Sequence, residues 1–373
     1  MSMMKKIIII VSLGIGLLLC VSCDRVVKQP SYKKVDCVGT IPPEFETIVK
    51  DNLFEGVTAF SDRLFKTEMI AGGNDQQTQE QRIIMMDLYG KELVEYMIKI
   101  DDDHHVNSLT ATDDGGFLFV LGFFDHYSHD KDLWASANGF ASRVIKCDKN
   151  GKLQFDTALE GIEGSALSHC YEQNGSYYLF GTHDAAKEPE KRESDVYIVK
   201  LDYHGKQIKD RLIRGSDFDS LDYVKKNSGG FLLSIRSQSD DGDFSGSDSG
   251  GYGVDWIVNL DQDLEIKEKK KTDGSDYYKV RIGEKNGVSV YLDEIVPKNF
   301  DAGNPTAYID YGEYYLIVSE NKTGVYEHPP LYISNMLYYT ETVYSAYDQN
   351  GNLIFRTAVD STPDYSEIIE KFS

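Results

Sequence analysis

One hairpin is written five times along this chain. It is centred on Gly90 in "IIMMDLYGKELVEY", Gly151 in "RVIKCDKNGKLQF", Gly205 in "YIVKLDYHGKQIK", Asp263 in "WIVNLDQDLEIKE" and Gly351 in "VYSAYDQNGNLIF". A second pattern alternates with it: a short strand, a corner rich in Gly or Asn, then an aromatic-rich apolar strand. Its copies begin at Val57, Ser108, Ala166, Ser220, Lys279 and Thr306. The strands are rich in Val, Ile, Tyr and Phe and bounded by Gly, Asn and Asp, the composition of short half-buried antiparallel strands. The Asn-Gly and His-Gly corners supply the positive φ of two-residue hairpin turns. Repetition at this spacing signals a solenoid or a propeller.

Each unit reads as four antiparallel strands, A to D, with the second pattern joining strand D of one unit to strand A of the next. The prediction is all-β, a β-propeller: stacked four-stranded blades bury both sheet faces and leave only short edges. Six copies of the second pattern against five hairpins favour six blades, one degenerate between Val296 and Asn304, with five or seven open. At 373 residues and 41% hydrophobic content the chain is large enough to bury such a core. Residues 44–373 form one propeller domain, and "TPDYSEIIEKF" near its end is placed to close the ring against the N-terminal segment.

The N-terminus has a different composition. Lys5 and Lys6 precede an apolar run from Ile7 to Val21, the layout of a secretory signal and short for a membrane span. The run ends in Cys20-Val21-Ser22-Cys23, which resembles the lipobox of bacterial lipoproteins, Ser22 standing before the cleaved bond and Cys23 at the acylated position. Cys20 occupies the place where that motif usually has leucine. The resemblance implies a signal peptide over residues 1–22, a palmitate-type lipid on Cys23, and a polar tether over 23–43. It also implies a lipid-anchored location on the extracytoplasmic side of a bacterial cell membrane. A plain signal peptide cleaved nearby, or an uncleaved anchor, is the alternative.

"GGFLLS" from Gly229 and "SDDGDFSGSDSGGYGVDWIVNLDQ" from Ser239 are similar to degenerate propeller repeats of bacterial exported proteins. That likeness implies the fold and a surface location but no activity, because propellers host many unrelated functions.

Composition narrows the partners. The 61 acidic residues against 39 Lys and Arg give a net charge of -22, which offers a phosphate backbone nothing to neutralise, so nucleic acid is not expected. In the predicted strand order the long connections fall on one face: those holding Asp101, Asp102 and Asp103, the loop from Asp125, "DAAKEPEKRESD" from Asp184, "GSDFDS" from Gly215, the loop from Ser239, and "DGSDY" from Asp273. The opposite face has tight turns carrying Lys91, Lys149, Lys152, Lys206, Lys225, Lys226 and Lys285. Loops on a rigid scaffold are the usual carriers of function, although acidic loops also serve simply as solvated surface.

Several constellations on the long-loop face suit a ligand. Asp240, Asp241 and Asp243, interleaved with Gly242, suit calcium, without the closing glutamate of an EF-hand loop. Asp125, His126, His129 and Asp130, with His104 and His105, have the chemistry of a zinc or nickel site. Tyr127, Trp134 and Tyr252 beside Asp101, Asp102 and Asp103 suit a protein or glycan ligand, by stacking and hydrogen bonding. "TDDGGFLF" from Thr112 resembles the Asp-box of sialidases but sits at a D-to-A joint, not between the third and fourth strands, and is also simply a good turn. No nucleophile elbow, zinc-protease helix or phosphate loop occurs. A non-enzymatic binding or scaffold module is therefore favoured, the alternative being a propeller hydrolase or lyase acting on extracellular polysaccharide through paired loop carboxylates. Cys37, Cys147 and Cys170 permit at most one bridge after Cys23, and Cys147 and Cys170 read as small buried residues.

Overall fold

The computed structural model describes residues 35–70, 78–101, 104–123, 142–159, 165–184, 194–246, 253–272, 281–285, 288–291, 302–325 and 337–360. They form five antiparallel blades set in a ring. Blade 1 holds β1 (Val57–Ala59), β2 (Leu64–Ile70), β3 (Thr78–Met86) and β4 (Glu92–Asp101). Blade 2 holds β5 (His104–Ala111), β6 (Phe117–Phe123), β7 (Arg143–Cys147) and β8 (Leu153–Ala158). Blade 3 holds β9 (Ser165–Gln173), β10 (Ser176–Asp184), β11 (Ser194–Leu201) and β12 (Gln207–Ile213). Blade 4 holds β13 (Asp219–Asn227), β14 (Gly230–Ser237), β15 (Val254–Asp261) and β16 (Ile266–Lys271). After the hairpin β17 (Arg281–Lys285) and β18 (Val288–Tyr291), blade 5 holds β19 (Asn304–Asp310), β20 (Tyr314–Val325), β21 (Leu337–Asp348) and β22 (Leu353–Asp360).

Five is one of the blade counts the repeat left open beside the favoured six. The copy of the second pattern at Lys279 builds no blade of its own. It makes the β17–β18 hairpin, which joins the inner edge of blade 5 through one parallel bridge, Gly283 to Tyr308. Tyr291 at its end packs 6.2 Å from Tyr223 and donates to the Val224 carbonyl at 3.1 Å, so the hairpin wedges between blades 4 and 5. The strand phase is also shifted by one strand, a quarter of a blade. The second pattern joins the first and second strands of one blade, and the Asp-headed hairpin joins the third and fourth. Tight turns still share one end of the ring and long connections the other.

The repeated turn works differently from a two-residue Asn-Gly corner. Positive φ falls only on its last residue: Gly90 at 80°, Gly151 at 76°, Gly205 at 81° and Gly351 at 81°. The leading aspartate does the rest. Asp148 Oδ1 accepts the N–H groups of Asn150 and Lys152 at 2.8 and 2.9 Å, and Asp87, Asp202, Asp261 and Asp348 repeat the arrangement two and four residues on. This is a type I turn closed by a left-handed residue. In blade 4 that residue is Leu264, at φ 62°, one position beyond Asp263. Each outer strand then bulges just past the turn, the pairing skipping Leu93, Gln154, Ile208, Lys267 and Ile354.

The middle strands are buried on both faces, which is why they read as continuous apolar runs and not as half-buried alternation. In β6, Phe117, Phe119 and Leu121 pack with Phe65 and Ile83 of blade 1, while Leu118 and Val120 pack with Leu167 and Leu179 of blade 3. Blades 3 and 4 meet through Tyr178, Phe180, Phe231 and Trp256. The ring closes between blades 5 and 1 without a shared blade. Helix α1 (Pro43–Lys50), with Pro43 in its first turn, inserts Phe45, Ile48 and Val49 into a cluster with Leu64, Leu316 and Phe355. Tyr344 Oη bonds Asn52 Oδ1 at 2.8 Å, and Val38 bridges Arg356 on the outer edge of β22. "TPDYSEIIEKF" lies outside the described residues. Cys147 and Cys170 are buried thiols on different blades, outside any disulfide, and Cys37 is an exposed thiol. Among the described residues no helix is long and apolar enough to cross a membrane.

Candidate functional site

Four inner strands share one irregularity. Pairing skips Asn107 in β5, Ser168 in β9, Asp222 in β13 and Thr306 in β19, each a polar residue. A bulge of this kind bends its strand and re-aims a side chain, and bulges gather beside functional sites. Between β1, β5 and β9 lies an axial cavity of about 200 Å³. Its polar groups are the hydroxyls of Thr58, Ser108 and Thr110, the amide of Asn107 and the imidazole of His169; Phe60, Leu109, Cys170 and Tyr171 complete the wall.

Hydrogen bonds across the blade seam fix this wall. Asn107 Nδ2 donates to the Leu167 carbonyl at 3.1 Å, and Cys170 N–H donates to Ser108 Oγ at 3.1 Å. Ser168 Oγ lies 2.9 Å from His169 Nδ1. Tyr171 Oη donates to the Val224 carbonyl at 2.8 Å, the oxygen that Tyr291 also uses. Gly122 makes room for the amide, since a Cβ there would stand 1.6 Å from Asn107 Nδ2.

A second group of carboxylates belongs to blade 4. Asp219 is fully buried and burial pushes it up to about 6, against hydrogen bonds from Ser237 Oγ at 2.5 Å, Gly215 N–H at 2.8 Å and Ser239 Oγ at 3.1 Å. It ties the β12–β13 connection to the start of the β14–β15 loop. Burial also raises Asp222 and Asp255; the Asp255 charge adds to the rise at Asp222, and Arg236 opposes it at both. Among the described residues, Asp222 Oδ2 and Asp255 Oδ1 find no hydrogen-bond donor and are buried.

The residues singled out from the sequence are spread over the ring. Asp241 Oδ1 accepts the Ser216 N–H at 2.8 Å and Asp243 Oδ2 the Arg214 N–H at 3.0 Å, so these two staple their loop to the β12–β13 connection, with Asp240 exposed beside them. Asp101 ends β4 on blade 1, which is not a neighbour of blade 4. His104 and His105 open β5. Cys23, Asp102, Asp103, Asp125, His126, Tyr127, His129, Asp130, Trp134 and Tyr252 lie outside the described residues. Among the described residues no three His, Cys, Asp or Glu side chains converge as a metal site would need. The turn lysines follow turn aspartates, Lys91 after Asp87 and Lys206 after Asp202, so the tight-turn end is of mixed charge and not a basic face. The inner-strand bulges leave little trace in the sequence beyond a polar residue at one fixed place, Asn107, Ser168, Asp222 and Thr306.

The fold defines the class of protein, a five-bladed β-propeller with an axial cavity. No protein-family model matches the chain, and no curated protein matches it. Solved structures similar to it include a protein of unknown function from Bacteroides caccae, at 11% identity and a TM-score of 0.33, covering 80% of this chain and 94% of that one. The lignostilbene dioxygenase of Pseudomonas brassicacearum is similar at 12% identity and a TM-score of 0.38, covering 81% of this chain and 63% of that one. A variant of the Synechocystis apocarotenoid oxygenase shows 8% identity and a TM-score of 0.35, with 81% and 60% covered. The chain thus spans less than two thirds of those oxygenases. Likeness of this size says nothing of activity.

Proposed function

We propose that this protein is a membrane-tethered, extracytoplasmic binding or scaffold propeller, anchored by a lipid on Cys23, that engages a protein or glycan through its long-loop end. The observation that supports the reading is the division between the two ends of the ring. Connections such as β6–β7, β10–β11, β14–β15 and β20–β21 span many residues, whereas the opposite end is closed by turns of a few residues held by aspartates. A rigid ring with all its variable length at one end is built to present a surface. Tyr127, Trp134 and Tyr252 belong to those long connections and supply the anchoring aromatics.

Two measurements test it. Metabolic labelling with a clickable fatty acid should mark the wild type and not Cys23→Ser. The purified full chain should capture a ligand on glycan and secreted-protein arrays, and alanine at Tyr127, Trp134 and Tyr252 should abolish the capture while the melting temperature holds. Capture indifferent to those three replacements sinks the long-loop reading. Calcium at Asp240, Asp241 and Asp243 would have to compete with the backbone donors that Asp241 and Asp243 now serve. A Tm raised by millimolar calcium and not raised in Asp243→Asn is the result that supports it.

A second reading, polysaccharide hydrolysis or elimination, draws on Asp222 and Asp255, two carboxylates raised by burial with one oxygen each left without a donor among the described residues. Depolymerisation of a polysaccharide panel, lost in both Asp222→Asn and Asp255→Asn, is its test.

A further inference from the structure

We propose that the axial cavity between blades 1, 2 and 3 is a binding site for one uncharged sugar ring. This deepens the binding reading above by giving it a second, axial site, and it rests on that reading only in supposing that the protein meets glycans.

The chemistry of the described lining disfavours ions. Among the described residues, no Asp, Glu, Lys or Arg lines the cavity. A carboxylate, phosphate or ammonium entering it would shed hydration without gaining a counter-charge, a loss that uncharged hydroxyls do not repay. A polyol faces the opposite balance. Thr58, Ser108, Thr110, Asn107 and His169 line the cavity with hydrogen-bonding groups, and Phe60, Leu109 and Tyr171 border it with apolar surface of the kind a pyranose ring packs against.

Size fixes how much of a glycan enters. About 200 Å³ falls below the range of roughly 300–1,000 Å³ typical of pockets for drug-sized ligands, so the cavity takes a single ring or a chain end. The wall is also built in advance. Asn107 is held by the Leu167 carbonyl over a glycine that admits it, and Ser108 is held by the Cys170 N–H, so two of the binding groups need not be ordered by the ligand.

Thr58 gives the test its handle, because it borders the cavity yet is exposed on its strand, in a buried–exposed–buried pattern. Thr58→Trp therefore fills the space without removing a core contact, and Thr58→Ser keeps the hydroxyl. The full chain is titrated by calorimetry and by histidine-selective NMR with glucose, galactose, mannose and N-acetylglucosamine, and with glucuronate and glucosamine as charged counterparts. The expectation is that at least one neutral sugar binds and shifts the His169 ring signals. Thr58→Trp should weaken that binding by at least about tenfold while Thr58→Ser leaves it nearly unchanged. No binding by any neutral sugar overturns the proposal, and so does binding that Thr58→Trp leaves intact or that glucuronate matches. Failure of array capture at the long loops sinks the previous reading alone, since the titrations of the Thr58 variants read this cavity independently.

Discussion

Lys146 Nζ lies 3.0 and 2.9 Å from the two carboxylate oxygens of Asp114, in the turn between β5 and β6, with its side chain wholly buried while that of Asp114 is 45% exposed. The Cys147 carbonyl accepts from the same ammonium at 2.8 Å. Burial works against the Asp114 charge, but hydrogen bonds from Thr112 Oγ1 at 2.6 Å, Lys146 and the Gly116 N–H outweigh it and hold the group at about 2.

The two partners are therefore not equivalent. Asp114→Asn strands a buried ammonium and should cost about 3 kcal/mol, whereas Lys146→Met leaves a carboxylate that water reaches and should cost about 1 kcal/mol. Urea denaturation of both variants decides it, and the reverse order refutes the account. The sign of the acid response follows too. A depressed folded pKa contributes stability above the ordinary carboxylate value, and that stability is lost as pH falls through about 2.

Leu264 occupies the left-handed turn position that glycine fills in the other four hairpins, and its side chain is fully buried against the blade 3–4 core. Left-handed backbone costs a branched residue about 1–2 kcal/mol, while deleting a buried leucine side chain costs about 2–5 kcal/mol. Leu264→Ala keeps the strain and loses the packing. Leu264→Gly loses the packing but relieves the strain, so it should be more stable than the alanine variant by about 1 kcal/mol, the reverse of the usual order. Chemical denaturation of the pair measures this directly.

Asp219 should make the protein less stable as pH rises. Its folded pKa is raised to about 6 against an ordinary 3.8, so the folded state binds the extra proton, and the stability it confers is full below the ordinary value and lost as pH climbs through about 6. The change from pH 4 to 7 is about 2 kcal/mol for such a shift. Melting midpoints taken across that interval should fall in the wild type, and Asp219→Asn should flatten the part of the curve due to this group. An unchanged slope in the variant would assign the dependence elsewhere.

Much of the ring was readable because its information is local. Asp148 and Gly151 make the same turn as Asp202 and Gly205 through bonds that span four residues, so repetition in sequence is repetition in structure. Blade phase was not readable in the same way. Whether Phe117 begins a blade or continues one depends on which strand Ala111 pairs with, and an antiparallel hairpin looks alike in either position. The blade count turned on one hairpin, β17–β18, whose attachment is a single bridge between Gly283 and Tyr308. The axial cavity was least visible, because Asn107, Ser108 and His169 become neighbours only when blades 2 and 3 pack, and a bulge residue carries no mark except its polarity.

Gly122 and Asn107 should behave as one unit. A Cβ at position 122 would meet the Asn107 amide at 1.6 Å, too close for a small shift to relieve, so Gly122→Ala must expel that side chain and break its bond to the Leu167 carbonyl across the blade 2–3 seam. The expected cost is about 2–3 kcal/mol, from overpacking and from the lost hydrogen bond together. Asn107→Ala alone removes the bond without the clash and should cost about 1 kcal/mol. In the double variant the alanine at 107 leaves room for the alanine at 122, so its cost should fall below the sum of the two singles by at least about 1 kcal/mol. Four urea curves complete the cycle, and strict additivity would show that the glycine at 122 serves something other than the bulge it faces.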